Sequence, residues 1–501
     1  MSGEFELIAK TFSGLEEILA GELIELGANN VEIGRRMVSF TGDKRMMYKT
    51  NFCLRTAIRI LKPIKQFTAT TADEVYDEVK SIDWSKYLDN SKTFAVDAVV
   101  YSEEFRHSKF VAYRVKDAIA DYFNEKTGKR PSVRITNPDI AVNVHISHKE
   151  CTISLDSSGE SLHRRGYRQE TMEAPLNEVL AAGIIMMSGW KGECDFIDPM
   201  CGSGTLPIEA ALIARNIAPG VFRKGYGFEK WNDFDADLFE QIYNDDSQER
   251  EFEHKIYGYD INYKANVIAE RNVKAAGVSK DVILKVQPIQ EFTKPKNKSI
   301  IITNPPYGER ISSDDLLGLY ATIGEKLKHE FSGNTAWILS YRDECFNKIS
   351  LKESEKIKLY NGALECQLRK YEIFDGKYKA YKERVVRGEV KEDKQGERPS
   401  RPARKEGFKE RRKDDRKDFG RDKRELDKEK REYKPRTDRK PREERTFDRK
   451  PKTDSREYKS DNREHKPKRA IDRFFKSEKP IMAEEQRTFR SRKHKSDKPK
   501  P

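Results

Sequence analysis

Asp198-Pro199-Met200-Cys201-Gly202-Ser203-Gly204-Thr205 follows the mostly apolar run from Cys194 to Ile197 and leads into Ile208, Ala211, Leu212 and Ala214 at helical spacing. That pattern describes a strand ending in a tight glycine turn that reverses into a helix. Gly202 and Gly204 permit backbone angles, and a close ligand approach, that a Cβ would obstruct. The turn opens a helix N-terminus, whose unpaired amides favour a carboxylate or phosphate. Glycine is routine in such turns, so the Gly-x-Gly pair acquires meaning only from its neighbours. No Gly-Lys-Ser or Gly-Lys-Thr follows, which excludes a phosphate-gripping P-loop. Asp260 closes the next strand, Tyr257-Gly258-Tyr259-Asp260, where a carboxylate can accept protons from both hydroxyls of a ribose. In dinucleotide-binding folds that acid lies about 20 residues beyond the glycines. The longer gap here marks residues 216–255 as an insertion that leaves the strand order intact. Asp198, Pro199, Cys201, Gly202, Ser203, Gly204, Thr205 and Asp260 are therefore assigned to a cofactor site.

Outward from this loop, strand-like runs at 196–198, 256–260, 282–286, 300–303 and 335–340 alternate with helical stretches, the pattern of a doubly wound α/β sheet. The fourth run, Ile300-Ile301-Ile302-Thr303, ends in Asn304-Pro305-Pro306-Tyr307-Gly308-Glu309-Arg310. Its two prolines fix φ and remove two N–H donors, which leaves carbonyls facing a cleft as acceptors. The exocyclic amine of a nucleobase is planar because its lone pair is delocalised into the ring. Hydrogen bonds from that amine to the Asn304 side-chain oxygen and the Pro305 carbonyl favour the pyramidal, nucleophilic form and offset the charge that develops on attack. Tyr307 can stack on a flipped base. Asn304, Pro305, Pro306 and Tyr307 are the candidate catalytic residues.

The chain before residue 160 has a different, mixed α+β register. Residues 4–65 read as strand, helix, strand, helix, with a second helix expected over 46–60. Residues 66–155 continue with a strand at 93–99, an amphipathic helix at 110–123 and half-buried strands around 133–135, 140–146 and 152–155. Beyond about residue 389 periodicity disappears. Residues 391–501 hold 43 Lys/Arg against 26 Asp/Glu, so the whole-chain charge of +13 leaves residues 1–390 at −4. Such a polar, aliphatic-poor tail cannot bury enough apolar surface to offset its ordering entropy and is expected to be disordered. Its cationic excess favours RNA with salt-sensitive affinity, whereas any phosphate attraction in the rest of the chain must come from local patches.

Several classes are excluded. No apolar run approaches the roughly 20 residues that span a bilayer. The segment MSGEFELIAKTFSG lacks a basic region followed by an apolar one, so a secretory signal is not expected and a cytoplasmic protein is. Cys53, Cys151, Cys194, Cys201, Cys345 and Cys366 show neither a Cys-x-x-Cys nor a paired histidine spacing, so no metal and no disulfide framework is expected.

Taken in order, these motifs resemble the class I, amino-directed methyltransferases, and more narrowly the bacterial THUMP-containing RNA methyltransferases of the type that forms N2-methylguanosine in large-subunit (23S) ribosomal RNA. The resemblance covers roughly residues 3–385. It rests on DPMCGSGT, TNPPYGER, the helix at 110–123 with the strands after it, and three further blocks. These are Leu162-His163-Arg164-Arg165-Gly166-Tyr167-Arg168, the run from Ala174 to Ala182, and Asn361-Gly362-Ala363-Leu364-Glu365-Cys366. It implies a ferredoxin-like unit over 1–65, a THUMP-like RNA-binding domain over 66–160, a Rossmann-like methyltransferase domain over 161–388 and the tail over 389–501. It also implies S-adenosylmethionine as cofactor, RNA as partner, and Pro175, Leu176 and Asn177 beside the methionine end of the cofactor. One departure stands out: where relatives often carry an acid near the adenine, this chain reads Val286-Gln287-Pro288-Ile289-Gln290. Gln287, Gln290 or a backbone amide could serve there.

Arg164, Arg165 and Arg168, between the two halves, are assigned to RNA phosphates. Trp231, beside Phe228 and Phe234, reads as core. Three rival functions remain: adenine-N6 methylation of DNA, which uses the same Asn-Pro-Pro-aromatic loop, guanine-N2 methylation of transfer RNA, and a non-catalytic ribosome-assembly factor. The THUMP-like half and the lack of a helix-turn-helix argue against the first, and the two intact loops argue against the last.

Overall fold

The structure, a computed structural model, describes residues 3–172, 175–293, 296–306 and 312–374. Tyr307, Arg310, Ala174 and the tail expected from residue 389 lie outside the described residues.

The N-terminal half runs β1 (Phe5–Lys10), α1 (Glu16–Glu25), β2 (Asn29–Gly34), β3 (Met37–Gly42), α2 (Lys44–Cys53) and β4 (Arg59–Thr68). It continues with α3 (Ala72–Lys80), β5 (Thr93–Tyr101), α4 (Ser108–Thr127), β6 (Ser132–Val133), β7 (Ile140–Ser147) and β8 (Glu150–Asp156). All eight strands form one sheet, ordered β2-β3-β1-β4-β8-β7-β5-β6. The period-2 alternation of β7 puts Ile140, Val142, Val144 and Ile146 on one face, in a common core with Val111, Val115 and Ile119 of α4. Strand β4 pairs with β1 at its start and with β8 along its length, so the boundary expected at residue 65 falls inside a strand shared by both parts.

Two local expectations fail for a nonlocal reason. The helix expected over 46–60 stops at Cys53, because the buried Glu22 carboxylate of α1 accepts the amides of Arg55 and Thr56 at 2.7 and 3.0 Å. Those amides serve a tertiary contact instead of a helix, and β4 begins at Arg59. The strand expected at 133–135 shrinks to Ser132–Val133, leaving Ile135 exposed.

The C-terminal half runs α5 (Glu178–Met187), β9 (Asp195–Asp198), α6 (Thr205–Ala214), α7 (Ala236–Tyr243), β10 (Ile256–Asp260), α8 (Tyr263–Ala275) and β11 (Val282–Val286). Then follow β12 (Ser299–Thr303), α9 (Ser313–Glu330), β13 (Thr335–Ser340), α10 (Asp343–Ile349), β14 (Glu355–Asn361) and β15 (Leu364–Glu372). Their sheet has the order β11-β10-β9-β12-β13-β15-β14. The chain steps outward from β9 through parallel β10 and β11, then returns to the other side of β9 as parallel β12. The strand order therefore reverses between β9 and β12, and the ligand crevice of such sheets lies at the carboxyl ends there. The two loops singled out in the sequence leave these two strands. The hairpin β14–β15, antiparallel to β13 and turning at Gly362 with φ 63°, extends the sheet beyond the strands expected.

Residues 216–255 interrupt the C-terminal half without disturbing the β9–β10 pairing. They pack instead on the N-terminal half: Tyr226, Phe228, Trp231 and Ile242 belong to its core, and the Phe228 ring stacks on Tyr48 at 4.3 Å. In the other direction, Leu15 joins the core of the C-terminal half. It sits so close to α5 that a Cβ on Gly183 would lie 2.5 Å from its Cδ2.

Candidate active site

Strand β9 is buried along its whole length and ends at Asp198, from which the loop to Thr205 rises at the crevice. Asp198 Oδ1 accepts the Met200 amide at 3.2 Å and the Thr303 hydroxyl at 2.7 Å. Burial pushes the Asp198 carboxyl up to about 7, and the nearby Asp260 carboxylate adds to the rise against those two hydrogen bonds. Pro199 and Cys201 are buried beneath the turn, and the Cys201 amide donates to the Tyr259 carbonyl of β10 at 2.8 Å.

The two glycines play different parts. Gly202 has φ 55°, and a Cβ there would meet nothing within 4 Å, so its backbone faces open space where a ligand could approach. Gly204 has φ 83° and a Cβ there would lie 3.2 Å from that of Ala269, so this glycine serves the packing of α6 against α8. Asp260 stands at the end of β10 with Oδ2 accepting the Gly202 amide at 2.9 Å and Oδ1 accepting the Asn262 amide at 2.8 Å. Each carboxylate oxygen keeps acceptor capacity beyond those bonds. The Gln287 side chain donates to the Glu291 carbonyl at 3.0 Å, closing its own turn, while Gln290 is exposed.

Across the switch point, β12 is fully buried and delivers Asn304 and Pro305 to the crevice. The Asn304 side-chain oxygen is buried and has no hydrogen-bond partner among the described residues. An acceptor in that state costs free energy unless a ligand donor completes it. Pro305 is buried and Pro306 exposed, while Tyr307 lies outside the described residues.

The arginine cluster is redistributed. Arg164 is exposed and pairs with Glu160 at 2.7 Å. Arg165 is 2 % exposed; it donates to the Leu162 carbonyl at 3.0 Å and to the Arg55 carbonyl, and lies 3.5 Å from the buried Glu209 carboxylate. Tyr167 donates to the same carboxylate at 2.9 Å. Arg168 also turns inward. Its Nε donates to Glu178 at 2.7 Å, Nη1 to Ser203 Oγ at 3.0 Å, and Nη2 to Thr205 Oγ1 at 2.9 Å. The expected phosphate role is thus corrected for Arg165 and Arg168, whose donors are committed to the interior. Arg165 binds the seam between the halves, and Arg168 ties the start of α5 to the glycine loop.

Asn177 caps α5, its side-chain oxygen accepting the Val179 amide at 2.9 Å, and neighbours Leu176, whose carbonyl accepts from Arg168 at 3.4 Å. Sequence reasoning missed Thr303 and Glu178 as partners of the site. Their only local signal was position, one residue before Asn304 and one after Asn177. Among the described residues no cluster of His, Cys, Asp and Glu could hold a metal, the six cysteines are free, and no helix is long and apolar enough to cross a membrane.

The profile of an RMKL-like methyltransferase domain matches residues 165–370, that of a THUMP domain residues 69–156, and that of the RlmL ferredoxin-like domain residues 6–61. The chain is 38% identical over 392 residues to the ribosomal RNA large subunit methyltransferase K/L of Syntrophotalea carbinolica, covering 75% of this chain and 55% of that protein. It therefore spans little more than half the length of that relative. A candidate RNA methyltransferase of Synechocystis sp. is 37% identical over 364 residues, covering 72% of this chain and 95% of its own length. The crystal structure of a candidate methyltransferase complexed with SAH superposes with a TM-score of 0.68 at 30% identity, over 75% of this chain and 100% of that one. With the glycine loop and residues 304–306 leaving the two strands at the switch point, the chain belongs to the THUMP-containing, RMKL-like methyltransferase family, whose cofactor is S-adenosylmethionine.

Proposed function

We propose that this protein is a cytoplasmic RNA methyltransferase that forms N2-methylguanosine in large-subunit ribosomal RNA. The observation that carries the reading is the buried Asn304 oxygen, without a hydrogen-bond partner among the described residues, at the carboxyl end of β12 beside the cofactor loop. Such an acceptor suits an amine that must give up conjugation with its ring, and the Pro305 carbonyl next to it supplies a second acceptor. S-adenosylmethionine, when bound, supplies an already activated sulfonium methyl, so the protein needs no strong general base. The residues that would hold it are Asp260 at the ribose, the backbone at Gly202 and the segment 175–177 at the methionine end. Arg168 orients that segment and the glycine loop together through Glu178, Ser203 and Thr205. The THUMP match and the name of the large-subunit relative support ribosomal RNA as the substrate.

The test uses the purified full chain with methyl-labelled cofactor and, in parallel, large-subunit ribosomal RNA, transfer RNA and duplex DNA, followed by nucleoside mass spectrometry. Label recovered as N2-methylguanosine from the ribosomal RNA is expected. Label recovered as N6-methyladenine from DNA, or from transfer RNA alone, would replace this reading with one of its rivals.

A further inference from the structure

Between the linker 160–168, the start of α5 and the insertion lies a cleft of about 520 Å³. That volume falls within the roughly 300–1,000 Å³ of small-ligand sites. Five of its lining residues are Arg or Lys and only two are acidic, Glu160 and Glu178. Arg164 pairs with Glu160, Arg168 with Glu178 and Arg165 with the buried Glu209 behind the wall, so Arg223 and Lys224 make up the net excess. The excess is notable because residues 1–390 together sum to −4. This is a local positive patch on a near-neutral body, the form that phosphate attraction must take here.

The cleft is also rigidly built. Arg223 of the insertion donates to the carbonyls of Glu160, Ser161 and Arg164 at 2.7, 3.0 and 2.9 Å, stapling the linker. Gly166, at φ 104°, presses so closely on the insertion that a Cβ would lie 2.0 Å from the Phe222 carbonyl oxygen. On these walls two cations face outward. Lys224 is exposed with no partner among the described residues, and Arg164 is held only by an exposed pair with Glu160, a contact of small net worth. One wall is Arg168, which touches Ser203 and Thr205, and another is the segment 175–177 assigned above to the methionine end of the cofactor, so the cleft opens directly beside the cofactor site.

We propose that this cleft is a phosphate subsite for the RNA strand flanking the target nucleotide, with Lys224 and Arg164 contacting the phosphodiester. This rests on the RNA reading above. Arg165 and Arg168, each beside a buried glutamate, shape the site, and Arg223 contributes fixed positive charge. Walls that are already ordered limit the ordering cost to the Lys224 and Arg164 side chains, which suits a register contact that places the target base at Asn304.

The test compares the full wild-type chain with the Arg164→Gln/Lys224→Gln double variant, using a large-subunit ribosomal RNA transcript and, separately, inorganic phosphate. The variant should raise the KM for RNA roughly tenfold and reduce the slope of log affinity against log salt by about 2, one for each phosphate that is no longer neutralised. Its affinity for S-adenosylmethionine and its melting transition should match wild type, since both side chains are at the surface. An unchanged RNA KM and salt slope in an active enzyme would overturn the subsite and leave the RNA reading standing. Loss of inorganic phosphate binding with RNA kinetics unchanged would instead reassign the cleft to a free anion. A wild-type chain that methylates none of the RNA would remove both readings together.

Discussion

Thr303 Oγ1 donates a 2.7 Å hydrogen bond to Asp198 Oδ1, and each residue is the last of its strand. The bond joins the loop that carries the glycines to the loop that carries Asn304, across the point where the strand order reverses. Replacing Thr303 by Val removes a buried donor to a carboxyl group, which should cost about 1–3 kcal/mol of stability and weaken cofactor affinity. Thr303→Ser, which keeps the hydroxyl, should restore most of it. Calorimetric titration with S-adenosylmethionine reads both, and equal affinity in Thr303→Val and wild type would deny the bond any role.

Asn304→Ala should lower kcat by roughly 10²–10³-fold, in line with the loss of one preorganised polar group aimed at developing charge. Cofactor affinity should stay near wild type, because no described bond links the Asn304 side chain to the glycine loop. Parallel loss of both would place Asn304 in cofactor binding instead.

The inward course of Arg168 predicts a phenotype unlike that of a phosphate contact. Arg168→Met leaves Glu178, 5 % exposed, without its cation and frees the Ser203 and Thr205 hydroxyls. A stability loss of roughly 3 kcal/mol and weaker cofactor binding are expected. The salt dependence of RNA binding should not change. Chemical denaturation and a salt series separate these effects, and a reduced salt slope would return Arg168 to the RNA interface.

Asp198 gives the cofactor-free protein a pH signature. Its carboxyl is raised from 3.8 to about 7 in the folded state, so the native protein holds a proton that the unfolded chain releases in that window. Stability from this group therefore falls as pH rises from about 4 to 7, and the penalty is complete above 7. Asp198→Asn should relieve it by up to about 4 kcal/mol at pH 8 and by little at pH 4. Denaturant midpoints of variant and wild type across that range test the sign, and a difference that shrinks with rising pH would contradict it.

The two loops were legible because their information is local. DPMCGSGT and TNPP are continuous segments, and a strand end, a glycine turn and a proline pair declare themselves in a few neighbouring residues. The strands at 256–260, 282–286 and 335–340 were legible for the same reason, since each is a short β-branched or aromatic run between helical stretches. The aromatic residues of the insertion could be read as core, but not which half's core they join.

What only the tertiary structure decided concerns residues whose partners are far away in the chain. His163-Arg164-Arg165-Gly166-Tyr167-Arg168 looks like one basic cluster, yet Arg165 meets Arg55 and Glu209, and Arg168 meets Ser203 and Thr205. A guanidinium turns inward where carbonyls and carboxylates from other segments converge to replace its water, and the spacing of charges along a chain carries no record of that convergence. The end of α2 has the same cause, because Glu22 reaches amides more than 30 residues away. By itself, then, the sequence determined the two loops and the type of sheet that presents them. Folding determined which cations remain at the surface, because side-chain direction depends on partners that only the fold brings together.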